Sequence, residues 1–146
     1  MRSLLCLSLL LAAPLAAAQN CSIDLVADDQ MKFDRAEVAV SASCPEITIN
    51  LTHAGKLPVA AMGHNVVISP DATWQAAAQD GLKAGAENGY VTPGDARVIA
   101  ATKLIGGGEK TSTTFPGSKL AAGQAYTFYC SFPGHWAIMK GALKVE

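Results

Sequence analysis

The chain has 146 residues, of which 50% are hydrophobic, and its 11 basic and 12 acidic side chains give a formal net charge of −1. Proteins that bind nucleic acids or membrane surfaces usually concentrate lysine and arginine, so this charge balance argues against both classes. The length suits one domain with a hydrophobic core and is too short for two domains of ordinary size.

The N-terminus is typical of an exported protein. Met1 and Arg2 precede the apolar run SLLCLSLLLAAPL, and three alanines follow at 16–18. A short positive region, an apolar core and a small-residue cleavage site are the three parts of a signal peptide. We therefore predict a signal peptide at residues 1–18 and a single domain at residues 19–146. No later stretch approaches the roughly 20 apolar residues that a membrane helix needs.

The predicted mature chain contains three cysteines, Cys21, Cys44 and Cys130. An odd number in a compartment that oxidises thiols leaves one of them outside a disulfide. Cys21 and Cys44 both lie in the N-terminal third and are the natural pair. Cys130 is then the remaining thiol.

Eight short segments are predicted to be β-strands. Alternation of apolar and polar residues is clearest at 47–52, and glycine or proline turns separate most of the segments. The predicted strands are 22–26, 36–40, 47–52, 65–69, 97–101, 111–115, 124–130 and 141–145. Between two of them, DATWQAAAQDGLK is rich in helix formers and predicts a short inserted helix from Asp71 to about Lys83. The pattern predicts an all-β, eight-stranded sandwich with one short helix.

The segment YCSFPGHWAIMKG places Cys130, His135 and Met139 around one tight loop. A soft thiolate, an imidazole and a weak thioether suit copper, which must be bound as both Cu(I) and Cu(II), better than they suit magnesium or calcium. His64, which directly follows Gly63, is the candidate for a second imidazole. Two imidazoles, a thiolate and a distant methionine describe a blue-copper electron-transfer site.

The motifs MGHNVVIS, TKLIGGGEK and YCSFPGHWAIMKGAL resemble those of the azurins, the bacterial blue-copper proteins of the cupredoxin family, and the resemblance runs over the whole predicted mature chain. It implies a Greek-key sandwich, a periplasmic location and a one-electron carrier with a single type 1 copper that cycles between Cu(I) and Cu(II). It also implies His64, Cys130 and His135 as equatorial ligands, Met139 as a long axial ligand, and the Gly63 carbonyl as a weak axial contact.

The same resemblance implies roles for residues around the ligands. Asn65 is expected to tie the two ligand loops together by hydrogen bonding near Cys130, and the Phe132 N–H to reach the cysteine sulfur. An apolar surface around His135 is expected to meet c-type cytochromes and periplasmic reductases or dehydrogenases in short-lived contacts, with the protein itself a monomer. We define the apolar patch as Met31, Leu57, Met62, Pro133, Trp136, Ala137 and Ile138.

Two positions depart from the resemblance. Trp136 stands where azurins have a small residue, so it is predicted either to reshape the docking surface or to pack locally. Val66 stands where some members have a buried tryptophan, which affects core packing alone. His53 has no ligand motif around it and is expected to be a structural or pH-responsive histidine.

Other functions compete with electron transfer. The main alternative is a copper-binding, storage or handling module without an electron-shuttle role, although such modules usually offer exposed, exchangeable cysteine or methionine clusters. We expect the chain not to be an enzyme, because copper oxidases and reductases need further centres built mainly from histidine and His53 alone remains. Two histidines and a cysteine also suit zinc. A plain structural sandwich would leave the ligand spacing as coincidence.

Overall fold

The computed structural model describes residues 19–146, which fold into eight strands in two sheets. The predicted signal peptide, with its cleavage site after Ala18, lies outside the described residues. Within residues 19–146, no helix combines the length and the apolar character needed to cross a membrane.

The strands are β1 (Ser22–Ala27), β2 (Glu37–Val40), β3 (Glu46–His53), β4 (Val67–Pro70), β5 (Ala100–Ala101), β6 (Lys110–Pro116), β7 (Tyr126–Tyr129) and β8 (Lys140–Val145). The helices are α1 (Val59–Met62) and α2 (Trp74–Gly81), with short 3₁₀ turns at Leu82–Ala84, Ala86–Asn88 and Gly117–Lys119. One sheet has the order β1-β3-β6 and the other β2-β8-β7-β4-β5. The predicted all-β sandwich is confirmed.

The core lies between the two sheets. Along β3 the side chains of Ile47, Ile49 and Leu51 are at most 1% exposed, because every second residue of a strand points to the same face. They share one apolar cluster with Phe128 of β7 and with Cys130. The free thiol therefore lies at the end of the core and inside it.

The opposite face of β7 is also buried, because α2 covers it. Tyr129 packs with Ala78 in a second apolar cluster, and the partly buried Trp74 packs against this cluster. The helix begins at Trp74, three residues later than predicted. Asp71 does not cap it and instead accepts a hydrogen bond of 2.6 Å from the Thr127 hydroxyl.

Most strand boundaries differ from the prediction by a few residues, and at β4 and β5 the difference has a local cause. β5 is limited to residues 100–101 because Asp95 turns the chain before it, accepting hydrogen bonds from the backbone N–H groups of Arg97 and Val98. β4 starts at Val67 rather than at residue 65, since His64 pairs only with Ile105 in an isolated bridge. The predicted disulfide joins Cys21 to Cys44, and Cys130 is the free cysteine of the described residues.

Candidate metal centre

Three donor side chains converge at one end of the sandwich. His64 precedes β4, Cys130 follows β7, and His135 lies in the loop between β7 and β8. The Cys130 sulfur lies 3.8 Å from His64 Nδ1 and 3.6 Å from His135 Nδ1, and all three ligand atoms are within 4.8 Å of one another. All three residues are buried.

These separations fit a single metal ion. Sulfur and nitrogen donors lie about 2.0 to 2.3 Å from a bound transition metal, so two such donors spread by about 120° are about 3.7 Å apart. The observed values of 3.8 and 3.6 Å match that spacing. A thiolate with two imidazoles is also a donor set that suits copper. The residues present therefore fit the metal that the sequence predicts.

Hydrogen bonds fold the β7–β8 loop back on itself. The Cys130 N–H donates to the Met139 carbonyl at 3.0 Å, and the Met139 N–H donates to the His135 carbonyl at 2.8 Å. Gly134 makes the turn before His135 with a φ of +83°, which glycine adopts without a Cβ clash. Met139 is 1% exposed, so all four predicted ligand side chains are buried at this end.

The main chain orients His64. Its Nε2 lies 2.8 Å from the Asp28 carbonyl oxygen, so Nε2 carries the proton and Nδ1 presents its lone pair towards Cys130. The Gly63 carbonyl oxygen lies 3.8 Å from the Cys130 sulfur. A Cβ at Gly63 would come within 2.6 Å of the Val59 carbonyl oxygen, so α1 leaves space for glycine alone.

Asn65 connects the two ligand segments. Its side-chain oxygen accepts the Ser131 N–H at 2.9 Å, and its Nδ2 lies 2.7 Å from Ser131 Oγ. The amide group also donates to the Gly89 carbonyl at 3.0 Å, and the Ser131 hydroxyl donates to the same carbonyl at 2.6 Å. Asn65 is wholly buried, so these bonds form away from water.

Burial controls the protonation of the metal-free site. It raises the pKa of Cys130 to about 11, a rise that hydrogen bonds from the backbone N–H groups of Asn65 and Phe132 partly offset. Burial, aided by nearby His64, lowers the pKa of His135 to about 4. The pKa of His64 is also lowered, chiefly by burial. At neutral pH the site therefore holds two neutral imidazoles and a thiol, and a metal that binds the thiolate must displace its proton.

His53 lies beside the centre but outside the group of converging donors. It accepts the Gly55 N–H at Nδ1 and donates from Nε2 to the Met62 carbonyl at 2.9 Å. Its ring stacks on His64 with centroids 4.4 Å apart. Both ring nitrogens are thus used, and His53 supports the ring of His64 from behind.

Sequence reasoning missed three of these contacts. Ser131, the Gly89 carbonyl and the Asp28 carbonyl all hold predicted site residues, yet none carries a recognisable motif. Ser131 could have been suspected from its position next to Cys130. The two carbonyls belong to loops 24 and 36 residues away from their partners in sequence.

Most of the apolar patch lies at the surface. Ile138 is 65% exposed and Leu57 is 41% exposed, Pro133 and Ala137 are also exposed, and Met31 and Met62 are partly so. Trp136 differs, because it is half-buried and its ring meets that of Trp74 edge to face at 6.2 Å. Of the two roles predicted for Trp136, local packing is the one that the contacts show.

Comparisons with known proteins agree with this geometry. A family model described as copper binding proteins, plastocyanin/azurin family, matches residues 19–146. The azurin of Bordetella pertussis is 54% identical over 134 residues, covering 92% of this chain and 89% of that protein. The azurin of Pseudomonas aeruginosa is 49% identical over 148 residues, covering 100% and 99%. The solved structure of the azurin Az-iso2 of Methylomonas sp. strain J superposes with a TM-score of 0.83 at 47% identity, covering 86% of this chain and 98% of that one.

Proposed function

Because this chain belongs to the plastocyanin/azurin family of copper-binding proteins, we propose that His64, Cys130, His135 and Met139 hold its copper ion. The protein is a blue-copper one-electron carrier with one copper per chain. The observation that carries the ligand assignment is the approach of the buried Cys130 sulfur to two imidazole nitrogens, at 3.8 and 3.6 Å. The Gly63 carbonyl is proposed as a further weak contact.

When bound to these donors, copper supplies a redox centre that gains or loses one electron. The contribution of the chain is to keep the donors in place, since ligands that hardly move between oxidation states leave little to rearrange. Asp28 and His53 fix the ring of His64, while Asn65 fixes the backbone beside Cys130. The low pKa of His135 keeps its ring neutral and available as a donor.

Electrons are proposed to enter and leave through His135. Its loop carries Pro133, Ala137 and Ile138, which are exposed, so an apolar partner surface would approach this ligand more closely than the others. A small apolar surface suits a short-lived contact rather than a permanent complex. Exchange of electrons with redox partners follows from the family, and we propose c-type cytochromes and periplasmic reductases or dehydrogenases as those partners.

The remaining assignments follow from the N-terminus and from the site. Residues 1–18 are proposed to be a signal peptide that directs export to the periplasm and is removed, leaving residues 19–146 as one domain. We propose that the chain is not an enzyme, because the described residues offer one group of converging metal donors and His53 lies outside it. A monomer is also proposed. The Cys21–Cys44 disulfide fits an oxidising compartment.

The test is electron exchange between the copper-loaded mature protein and a reduced c-type cytochrome, followed by stopped-flow absorbance. Ile138→Asp should lower the second-order rate constant by about tenfold with the visible spectrum unchanged, since it places a charge in the apolar contact. Leu82→Asp changes an apolar residue of 40% exposure outside the patch and should stay within twofold of the parent. Equal effects of the two variants would contradict docking at the patch. Absence of electron exchange in the parent protein would favour a copper-storage role.

A further inference from the structure

One tryptophan outside the metal centre contacts the chain neighbours of three proposed ligands. Trp74 is the first residue of α2. The neighbours are Tyr129 before Cys130, Trp136 after His135, and Lys140 after Met139. The centroid of the Trp74 ring lies 5.6 Å from the ring centroid of Tyr129 and 6.2 Å from that of Trp136. The Lys140 Nζ lies 5.0 Å from the Trp74 centroid. The same side chain therefore touches the ligand-bearing segment at both of its ends and in its middle.

The contacts of Trp74 with Trp136 and Lys140 have favourable geometries. The Trp136 ring meets Trp74 at an interplanar angle of 71°, the edge-to-face arrangement that aromatic pairs prefer. The Lys140 ammonium lies over the Trp74 indole and also donates to the Ala137 carbonyl at 2.9 Å, so it connects the loop to the helix. Tyr129 is 1% exposed, and its ring is tilted by 47° against Trp74.

Trp74 is well placed to support other residues because α2 is itself anchored. Ala77 and Ala78 form part of its buried face. Arg97 ties the far end of α2 to the next loop, donating to Asp80 at 2.9 Å and to Asp95 at 2.6 Å. The indole therefore projects from an element that is fixed on two sides.

These contacts act on a different part of the loop from those of Asn65. Asn65 bonds Ser131, next to Cys130, at the beginning of the loop. Trp136 lies in the second half, which carries His135 and Met139 and whose Ala137 and Ile138 face solvent, and Lys140 follows it as the first residue of β8. The second half is thus held from outside by α2, in addition to its own hydrogen bonds.

We propose that Trp74 is a positioning residue of the copper centre. Through Tyr129, Trp136 and Lys140 it holds the loop that supplies three of the four proposed ligands, and so limits both opening of the loop and loss of the metal. This inference rests on the ligand assignment made under the proposed function. The proposal also gives a role to Trp136, which stands where azurins have a small residue, since its indole is the part of the loop that contacts α2.

The first test uses the copper-free protein and measures amide hydrogen exchange. The Ile138 and Met139 N–H groups, both bonded to the His135 carbonyl, report opening of the loop, and the Ile49 amide in the central strand β3 reports global unfolding. Trp74→Leu should raise loop exchange relative to Ile49 exchange by about tenfold, the equivalent of about 1.4 kcal/mol. Trp74→Phe, which keeps a smaller ring, should fall between the parent and Trp74→Leu, and it decides the question if Trp74→Leu does not fold.

Asp80→Asn is the matched control, because it weakens the Arg97 contact at the other end of α2 and leaves Trp74 in place. It should leave the ratio of loop exchange to core exchange within twofold of the parent, because the buried Ala77 and Ala78 still anchor the helix. A ratio that Trp74→Leu and Trp74→Phe also leave within twofold would overturn the proposal. So would an increase with Asp80→Asn as large as that with Trp74→Leu, because the effect would then belong to the helix as a whole.

The second test uses the copper-loaded protein and follows release of the metal to a chelator. Trp74→Leu should accelerate release about tenfold and alter the intensity of the thiolate-to-copper absorption band, and Asp80→Asn should do neither. The double variant with Trp74→Leu and Lys140→Met should accelerate copper release by less than the product of the two single accelerations, because both changes remove the same contact. Release rates like those of the control would overturn the proposal. A parent protein without a thiolate band would instead contradict the proposed function, while hydrogen exchange of the copper-free protein would still decide the role of Trp74.

Discussion

Replacement of Asn65 by alanine tests whether the bonds between the two ligand segments support the centre. Asn65 is 0% exposed, and its amide accepts the Ser131 N–H and donates to the Gly89 carbonyl. In Asn65→Ala the Ser131 N–H would be left in the interior without this partner, at a cost of roughly 1 to 3 kcal/mol. The Gly89 carbonyl also loses the hydrogen bond from Asn65 but keeps the one from the Ser131 hydroxyl, so this second loss adds only about 1 kcal/mol.

The free energy of unfolding of the copper-free protein should therefore fall by about 3 kcal/mol, measured by urea denaturation. Asn88→Ala is the control, since Asn88 is exposed and its side chain makes one hydrogen bond, to the Ala84 carbonyl. Its cost should stay below about 0.5 kcal/mol. The reduction potential of the copper-loaded Asn65→Ala protein should also shift, because the backbone N–H of residue 65, which bonds the Cys130 sulfur, would lose the side-chain bonds that fix its position. A loss of stability no larger than that of Asn88→Ala would refute the reasoning.

Three further predictions concern single groups of the centre. Gly63→Ala should lower the free energy of unfolding by about 2 kcal/mol, because its Cβ would lie 2.6 Å from the Val59 carbonyl oxygen, and an unchanged melting temperature would contradict this. Because the pKa of His135 is depressed, the copper-free fold binds fewer protons than the unfolded chain at acid pH. The contribution of His135 to the free energy of unfolding is therefore present above pH 6.5 and is lost as pH falls to about 4, by at most about 3 kcal/mol. Urea denaturation of His135→Gln should show a smaller acid-induced loss than the parent, and an equal loss would count against this cause. Since the pKa of Cys130 is raised to about 11, copper binding at pH 8 should release about one proton per ion, measured by calorimetry in buffers of different ionisation enthalpy, and zero release would show that the thiolate forms without copper.

The sequence was most informative where a signal is local. Alternation along 47–52 predicted β3, and the spacing of Cys130, His135 and Met139 within one loop predicted a metal site without reference to the rest of the chain. The partner of Cys44 could be inferred because so few cysteines were available. These inferences depend on residues close in sequence or on a short inventory.

The sequence was less informative where distant segments meet. Nothing near Asn65 indicates that Gly89 lies beside it, and nothing near Trp74 indicates contact with Trp136, because both pairings arise only once α2 and the loops pack on the sheet. The four residues of α1 are too few for a helical period to show. The position of His53 is likewise a tertiary feature, since the end of β3 places its ring against that of His64.

The most direct test of the copper centre is the visible absorption spectrum of the purified mature protein loaded with Cu(II), recorded before and after dithionite and beside Cys130→Ser. The geometry around Cys130 predicts an intense blue band that disappears on reduction and is missing in the variant, because the band requires a thiolate bound to Cu(II). Copper present by elemental analysis without that band would show that Cys130 is not a ligand, and would contradict the electron-carrier function.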